Sequence, residues 1–459
     1  MARHSAADPT PINATEAEPL LGTSFEEDSR LNSSSNRIPD SDDIGGPGQE
    51  KIAFRMAAAA WSFVVLGLFV STIGVTIPHI QEDYRLTDIH VSAIFLVGPV
   101  GYCLASSLSN RVHLRFGQRG IAVLGPACHL LYAVTGALHP PFPVFLLATG
   151  VGSLGVGLLD GSWCAWVAGL ESANTLSGIL HGSFSVGAAI CPYLAGIMLS
   201  ANEGLWYQWF YVLSIASALE LLILCLAFRH EDSKRYHSSK CYSAPGASND
   251  KINQREVLKY SATWVYAAYL LADVGTESTV SGWVVAFMLR VRNNSTYASS
   301  ICSSGFWAGM AVGRVALGVV TDKLGARRAV VLYLALAPVF VILFMLVRVL
   351  WVSVLSMSLI GFLMGPLFPS CIVQLVHFLP KELHISAVSF VASIGQIGGA
   401  ILPYLLGAIT QVIGLWVFPY MLLAQFSAML LLWILSLRLS RNDEVGEQAG
   451  GESDHPEQD

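Results

Sequence analysis

Apolar positions along the chain fall into long blocks, not into the alternation of half-buried strands or the heptads of coiled coils. A bilayer core is crossed by roughly 20 mostly apolar helical residues. Twelve blocks are of that order: Phe54–Ile77, Val91–Leu108, Ile121–Leu138, Phe142–Trp166, Leu176–Leu199, Trp206–Phe228, Ala262–Met288, Ser300–Val320, Ala329–Val347, Trp351–Val376, Ile385–Ile409 and Leu415–Leu437. After the sixth block comes the one long internal break, Arg229 to Tyr260, which is polar and contains Ser, Asn and Lys. The pattern predicts an all-α membrane protein with twelve transmembrane helices. Its expected parts are an N-terminal tail (1–53), a six-helix bundle (54–228), a central loop (229–260), a second six-helix bundle (261–437) and an acidic tail (438–459). The tails are too polar to form a packed core of their own and are expected to be disordered.

The two bundles repeat each other. "GAAICPYLAG" (Gly187 to Gly196) and "GGAILPYLLG" (Gly398 to Gly407) share seven of ten residues at an offset of 211. "RFGQR" (Arg115 to Arg119) matches "KLGAR" (Lys323 to Arg327) at an offset of 208. Nearly equal offsets from unrelated helices point to two six-helix pseudo-repeats. Parallel repeats of this kind are one transporter architecture, with the solute site at the repeat interface near mid-membrane.

Composition supports the membrane reading: 53% of the 459 residues are hydrophobic and 13% charged, against about 25% charged in average soluble domains. The first fifty residues show no short apolar run after a basic start, so the first span is expected to direct insertion. Basic residues set the orientation. They flank the loop after the second block (Arg111, Arg115, Arg119), the loop after the eighth (Lys323, Arg327, Arg328) and the central loop. Both termini are therefore expected in the cytoplasm, with Arg85, Arg290, Arg292 and Arg348 as exceptions on the opposite side. The eight cysteines form no C-x-x-C pair and read as small buried residues, without a disulfide framework or a metal site.

The loop "GVVTDKLGARR" (Gly318 to Arg328) resembles the signature cytoplasmic loop of the major facilitator superfamily. Asp322, Gly325 and Arg327 stand where that family's acid, turn glycine and base stand, and the resemblance covers about Phe54 to Leu437. It implies a latch that gates neighbouring helices. The matching first-half loop keeps Gly117 and Arg119 but has Leu114 in place of the acid. "GLLDGSWCAWV", "LHGSFSVGAAICPYLAG" and "VGTESTVSGW" are most similar to the fucose-permease-like branch and its fungal members. That resemblance places Asp160 where the branch has an acid that bears on sugar and proton binding. The acid expected in the first helix is missing from "FVSTIGVTIPHIQ" (Phe69 to Gln81).

A charge at the bilayer centre costs about 2.5–3.5 kcal/mol on insertion scales, so it faces a cavity or a partner. Asp160, Asp273, Glu277 and Arg314 are the charges considered on that ground. Asp273 and Glu277, four residues apart, share one helix face. Glu277 is expected to face a central cavity across from Asp160, and Arg314 to pair with an acid. The alternative for each is a structural bond between helices. At the repeat offset of 208, Asp160 maps to Phe368 and Glu277 to Phe69, so these acids are not duplicated. His181 can relay a proton or bridge two helices, and Gln396 is a weaker version of the same case. Trp163 and Trp283 can stack on a sugar ring or simply pack.

Nothing points to an enzyme, a cofactor or nucleic acid: there is no phosphate-cradling loop, Walker lysine or nucleophile elbow. The expected activity is secondary transport of a small solute coupled to protons. The solute is sugar-like (uptake or export) or an effluxed metabolite or organic acid. A third possibility is a transporter-like receptor or scaffold that moves nothing. A monomer in the plasma membrane or a vacuolar or lysosomal membrane is expected. "EAEPLLG" carries Leu20 and Leu21 in acidic-dileucine form, which sorting adaptors read, and Asn293 and Asn294 are glycosylation sequons.

Overall fold

The computed structural model describes residues 47–168, 170, 173–234, 254–379 and 383–451. Leu20, Leu21, most of the central loop and the end of the acidic tail lie outside the described residues. Twelve long helices run in chain order: α1 Pro47–Asp83, α2 Asp88–Phe116, α3 Gln118–Ala137, α4 Phe142–Ala168, α5 Ala173–Ala201 and α6 Trp209–Ala227 form the first half. The second half contains α7 Ser261–Arg290, α8 Thr296–Leu324, α9 Ala326–Leu346, α10 in two segments (Leu350–Met364 and Leu367–His377), α11 His384–Ile413 and α12 Phe418–Gly451. All twelve predicted spans are present. Several helices outrun their apolar blocks, because a helix already formed extends at little cost through polar residues outside the hydrocarbon. Thus α1 begins before Phe54, and α12 continues to Gly451, into the stretch expected to be disordered. α10, read as one span, is interrupted at Gly365–Pro366, where proline lacks the N–H that helix continuation needs.

Among the described residues, eleven helices are long and apolar enough to cross a membrane. The exception is α7, which at 30 residues is long enough (about 45 Å at 1.5 Å per residue) but whose apolar run is broken by Asp273 and Glu277. The packing explains why. From Thr276 to Met288 nearly every α7 side chain is buried in protein, so this helix needs few lipid-compatible residues.

The repeated motif has a packing role. Gly187 on α5 lies so close to α1 that a Cβ there would collide with the backbone of Val64. Gly398 on α11 meets the backbone of Leu271 on α7 in the same way. The closing glycines act between the halves: Gly196 abuts Ser300 of α8, and Gly407 abuts Ser92 of α2. The repeat maps α2 onto α8 and α5 onto α11. The two seams joining the halves, α5–α8 and α2–α11, are therefore copies of one contact made possible by small residues.

At the cytoplasmic-type loops, Gly117 and Gly325 take positive φ, +70° and +79°, as a tight turn requires. The first-half loop, without an acid at Leu114, is held from another direction. Arg55 pairs with Glu231 at 2.6 Å, and the Arg119 amide donates to the Glu231 carbonyl at 3.0 Å. In the second half Asp322 is exposed, Arg327 Nε donates to Gln374 at 3.4 Å, and Trp433 donates to the Arg327 carbonyl.

Candidate functional site

A cavity of about 150 Å³ lies between the halves. α1 contributes Phe69 and Gly74, α2 Phe95, α3 Tyr132, α4 Ser153 and Val156, α7 Glu277 and Ser281, and α8 Trp307. Phe69 and Glu277 occupy equivalent positions of the repeat and line the same cavity. The repeat thus sets an aromatic ring in one half and a carboxylate in the other.

Asp273 and Glu277 part company. A four-residue step overshoots a helical turn by about 40°, which suffices here to put Glu277 on the cavity wall, half-buried, and Asp273 in the packed interior, 3% exposed. Neither carboxylate makes a hydrogen bond among the described residues. Ser281, one turn beyond Glu277, accepts from Trp307 Nε1 at 3.2 Å and keeps its own proton to donate.

Asp160 does not line this cavity. It sits one turn beyond Val156 on α4, toward the side of the termini, in a cluster of its own. Tyr102 Oη donates to Asp160 Oδ2 at 2.6 Å and Cys164 Sγ to Oδ1 at 3.6 Å, while His181 Nε2 is 3.9 Å from Cys164 Sγ. His181 is exposed, and its ring meets the edge of Phe63. Arg314 has a different partner from the acid expected. It donates to Ser185 Oγ at 2.6 Å and to the His181 carbonyl at 3.4 Å, joining α8 to α5 across the halves. Its charge reaches Asp273, Glu277 and His181.

The tryptophans singled out from the sequence are enclosed by protein. Trp163 is fully buried and stacked on Phe228 at 4.4 Å, and Trp283 is fully buried and donates to the Pro403 carbonyl at 3.0 Å. Neither presents a free ring face, whereas Trp307 does line the cavity. Gln396 is half-buried on α11, one turn from the lining residue Gly399. Asn293 and Asn294 sit in the α7–α8 turn, where Ser295 caps α8 by accepting from the Ala298 amide. Among the described residues no cluster of His, Cys, Asp and Glu is arranged to hold a metal ion.

One buried pair escaped the sequence reading. His129 Nδ1 on α3 lies 2.9 Å from Glu220 Oε2 on α6, both side chains wholly enclosed, and Ser62 Oγ on α1 donates to Glu220 Oε1 at 2.6 Å. The imidazole stacks on Phe69 at 4.7 Å, directly behind the cavity wall. An acid alone in the apolar block Trp206–Phe228 was the available signal; its partner was not legible, because it lies 91 residues away.

Two six-helix halves around a central cavity with an inward-facing carboxylate define a polytopic membrane transporter. The model of the Major Facilitator Superfamily matches residues 59–297 and 259–456, and the chain belongs to that family. It is 27% identical over 421 residues to "Bypass of stop codon protein 6" of Saccharomyces cerevisiae (strain ATCC 204508 / S288c), covering 86% of this chain and 84% of that one. It is 23% identical over 354 residues to the "Glucose/mannose transporter GlcP" of Bacillus subtilis (strain 168), covering 75% and 85%. The fold matches the crystal structure of a point mutant of the nucleoside transporter NupG with a TM-score of 0.68 at 12% identity, covering 84% of this chain and 99% of that one. The protein is thus a multi-pass membrane transporter of a small solute, not an enzyme.

Proposed function

We propose that the chain moves a small hydroxyl-bearing, sugar-like solute by alternating access, coupled to protons through Glu277. The observation that carries this is the position of Glu277: an acid without a hydrogen-bond partner among the described residues, on the wall of the cavity between the halves. A carboxylate that faces first one aqueous side and then the other can take up a proton on one and release it on the other. Ser281, Ser153 and the rings of Phe69 and Trp307 supply the donors and flat apolar faces that bind polyols. A transporter of glucose and mannose among the relatives supports the solute class. Asp160, with Tyr102, Cys164 and His181, forms a second polar station toward the side of the termini, and Arg314 ties it to α8. The excess of Lys and Arg in the loops on that side supports cytoplasmic termini.

Efflux of a metabolite is the second reading, favoured by the mostly apolar lining of the cavity. Both readings are tested by screening sugars, polyols, organic acids and metabolites for stabilisation of the purified protein, since binding raises Tm. Transport of the hit into proteoliposomes follows, with and without a proton gradient. Gradient-dependent accumulation lost in Glu277→Gln supports the assignment; full accumulation in that variant sinks it. A chain that binds no solute in the screen would favour the receptor or scaffold reading.

A further inference from the structure

The cavity lining has a one-sided charge. Glu277 is its carboxylate, and no Lys, Arg or His stands among the described residues that line it. Arg314 lies outside the lining and is turned to Ser185 and the His181 carbonyl. Around the carboxylate stand four aromatic side chains, Phe69, Phe95, Tyr132 and Trp307. Trp307 is fixed by its bond to Ser281, and Phe69 by its stack on buried His129. A fixed anion among π faces attracts a cation twice, by direct charge and by the ring quadrupoles. An anionic solute would meet repulsion from Glu277 and from the ring faces, and the nearby cation, Arg314, is held outside the lining by Ser185 and the His181 carbonyl.

We propose that the solute carries an ammonium group that docks against Glu277 among these four rings. The proposal rests on the reading of this cavity as the transport site. Such a solute need not lack hydroxyls, since Ser153 and Ser281 remain free to serve them; an amino sugar satisfies both demands. It also bears on coupling. One carboxylate holds either a proton or an ammonium group, so the two exchange at Glu277, and acidification weakens amine binding. The ionisable groups facing Glu277 are Asp273 one turn back on α7, Arg314 on α8 and Tyr132 on α3. Asp160 on α4 and His181 on α5 lie further toward the termini. The lining residues of α1, α2 and α11 carry no charge.

The test uses two charge series with the full-length protein: glucosamine, glucose and glucuronate, and 2-phenylethylamine, 2-phenylethanol and 3-phenylpropionate. Binding is read from the rise in Tm with concentration. In at least one series the amine is expected to bind about tenfold or more tighter than its neutral counterpart, and the acid not to bind. Glu277→Gln should erase the preference, and Ser153→Trp, which fills the cavity, should abolish binding altogether. Equal or tighter binding of the neutral or acidic member overturns the ammonium assignment while leaving the cavity reading intact. So does the absence of stabilisation by either amine. Binding that survives Ser153→Trp lies elsewhere, and overturns the cavity reading itself.

Discussion

Asp88 at the start of α2 and Arg290 at the end of α7 form a two-pronged ion pair across the halves, at 2.7 and 3.1 Å. Gln81 donates to the same carboxylate at 2.6 Å, and Gln411 of α11 receives the Asp88 amide at 3.1 Å. The pair closes the end of the molecule opposite the termini. This also accounts for an arginine on the side where basic residues are scarce: Arg290 serves the seam, not the topology. Asp88 is buried and Arg290 is about two-fifths exposed, so the pair is only partly screened. Asp88→Asn should open this end by about 1–2 kcal/mol. In a cysteine-free background with Ser153→Cys, an impermeant thiol reagent applied from that side should then react about tenfold faster. Swapping the charges, Asp88→Arg with Arg290→Asp, should restore slow labelling; no change in rate would dismiss the gate.

The His129–Glu220 pair makes a prediction about stability. Each group leaves the other as an uncompensated polar group in a sealed interior when removed. Glu220→Ala or His129→Ala should each lower stability by about 3–5 kcal/mol. The double replacement His129→Leu with Glu220→Met should cost less than either single one. Thermal unfolding in detergent measures all three, and additive losses would show that the two residues act separately.

Backbone contact at the repeated glycines cannot be relieved by turning a side chain. Gly187→Val and Gly398→Val should each destabilise by about 1–3 kcal/mol or more. Gly178→Val, where nothing lies within 4 Å of the added Cβ, should be nearly neutral. Equal Tm values for the three variants would refute the assigned role of the motif.

Orientation and sorting are open to direct test. The α7–α8 turn is short and Ser295 is engaged as a helix cap, so lengthening the turn before Asn293 should permit a glycan there. The N-terminal tail carries two further sequons, at Asn13 and Asn32, which should stay bare, and an endoglycosidase shift traced to either would reverse the topology. Replacing Leu20 and Leu21 with Ala should move a tagged protein from an internal membrane to the cell surface, and an unchanged location would remove the sorting signal.

Period and composition by themselves determined the twelve helices and the six-plus-six division, because each span must satisfy its backbone and meet lipid within its own sequence. The offsets of 208 and 211 were legible because motifs that serve equivalent turns (Gly117 and Gly325) and equivalent helix contacts (Gly187 and Gly398) stay alike. Where each helix turns its polar residues was decided only by tertiary structure. Asp273 and Glu277 read as one face, yet one is sealed in protein and the other lines the cavity, because the boundary between interior and cavity falls within the 40° that separates them. Trp163, Trp283 and Trp307 are equivalent to any hydropathy rule, and only packing leaves Trp307 on the cavity wall. His129 and Glu220 lie on different helices, and their meeting depends on how α3 and α6 cross. Such pairings are set by the rotation of each helix about its axis, which neighbouring helices fix and a single span cannot.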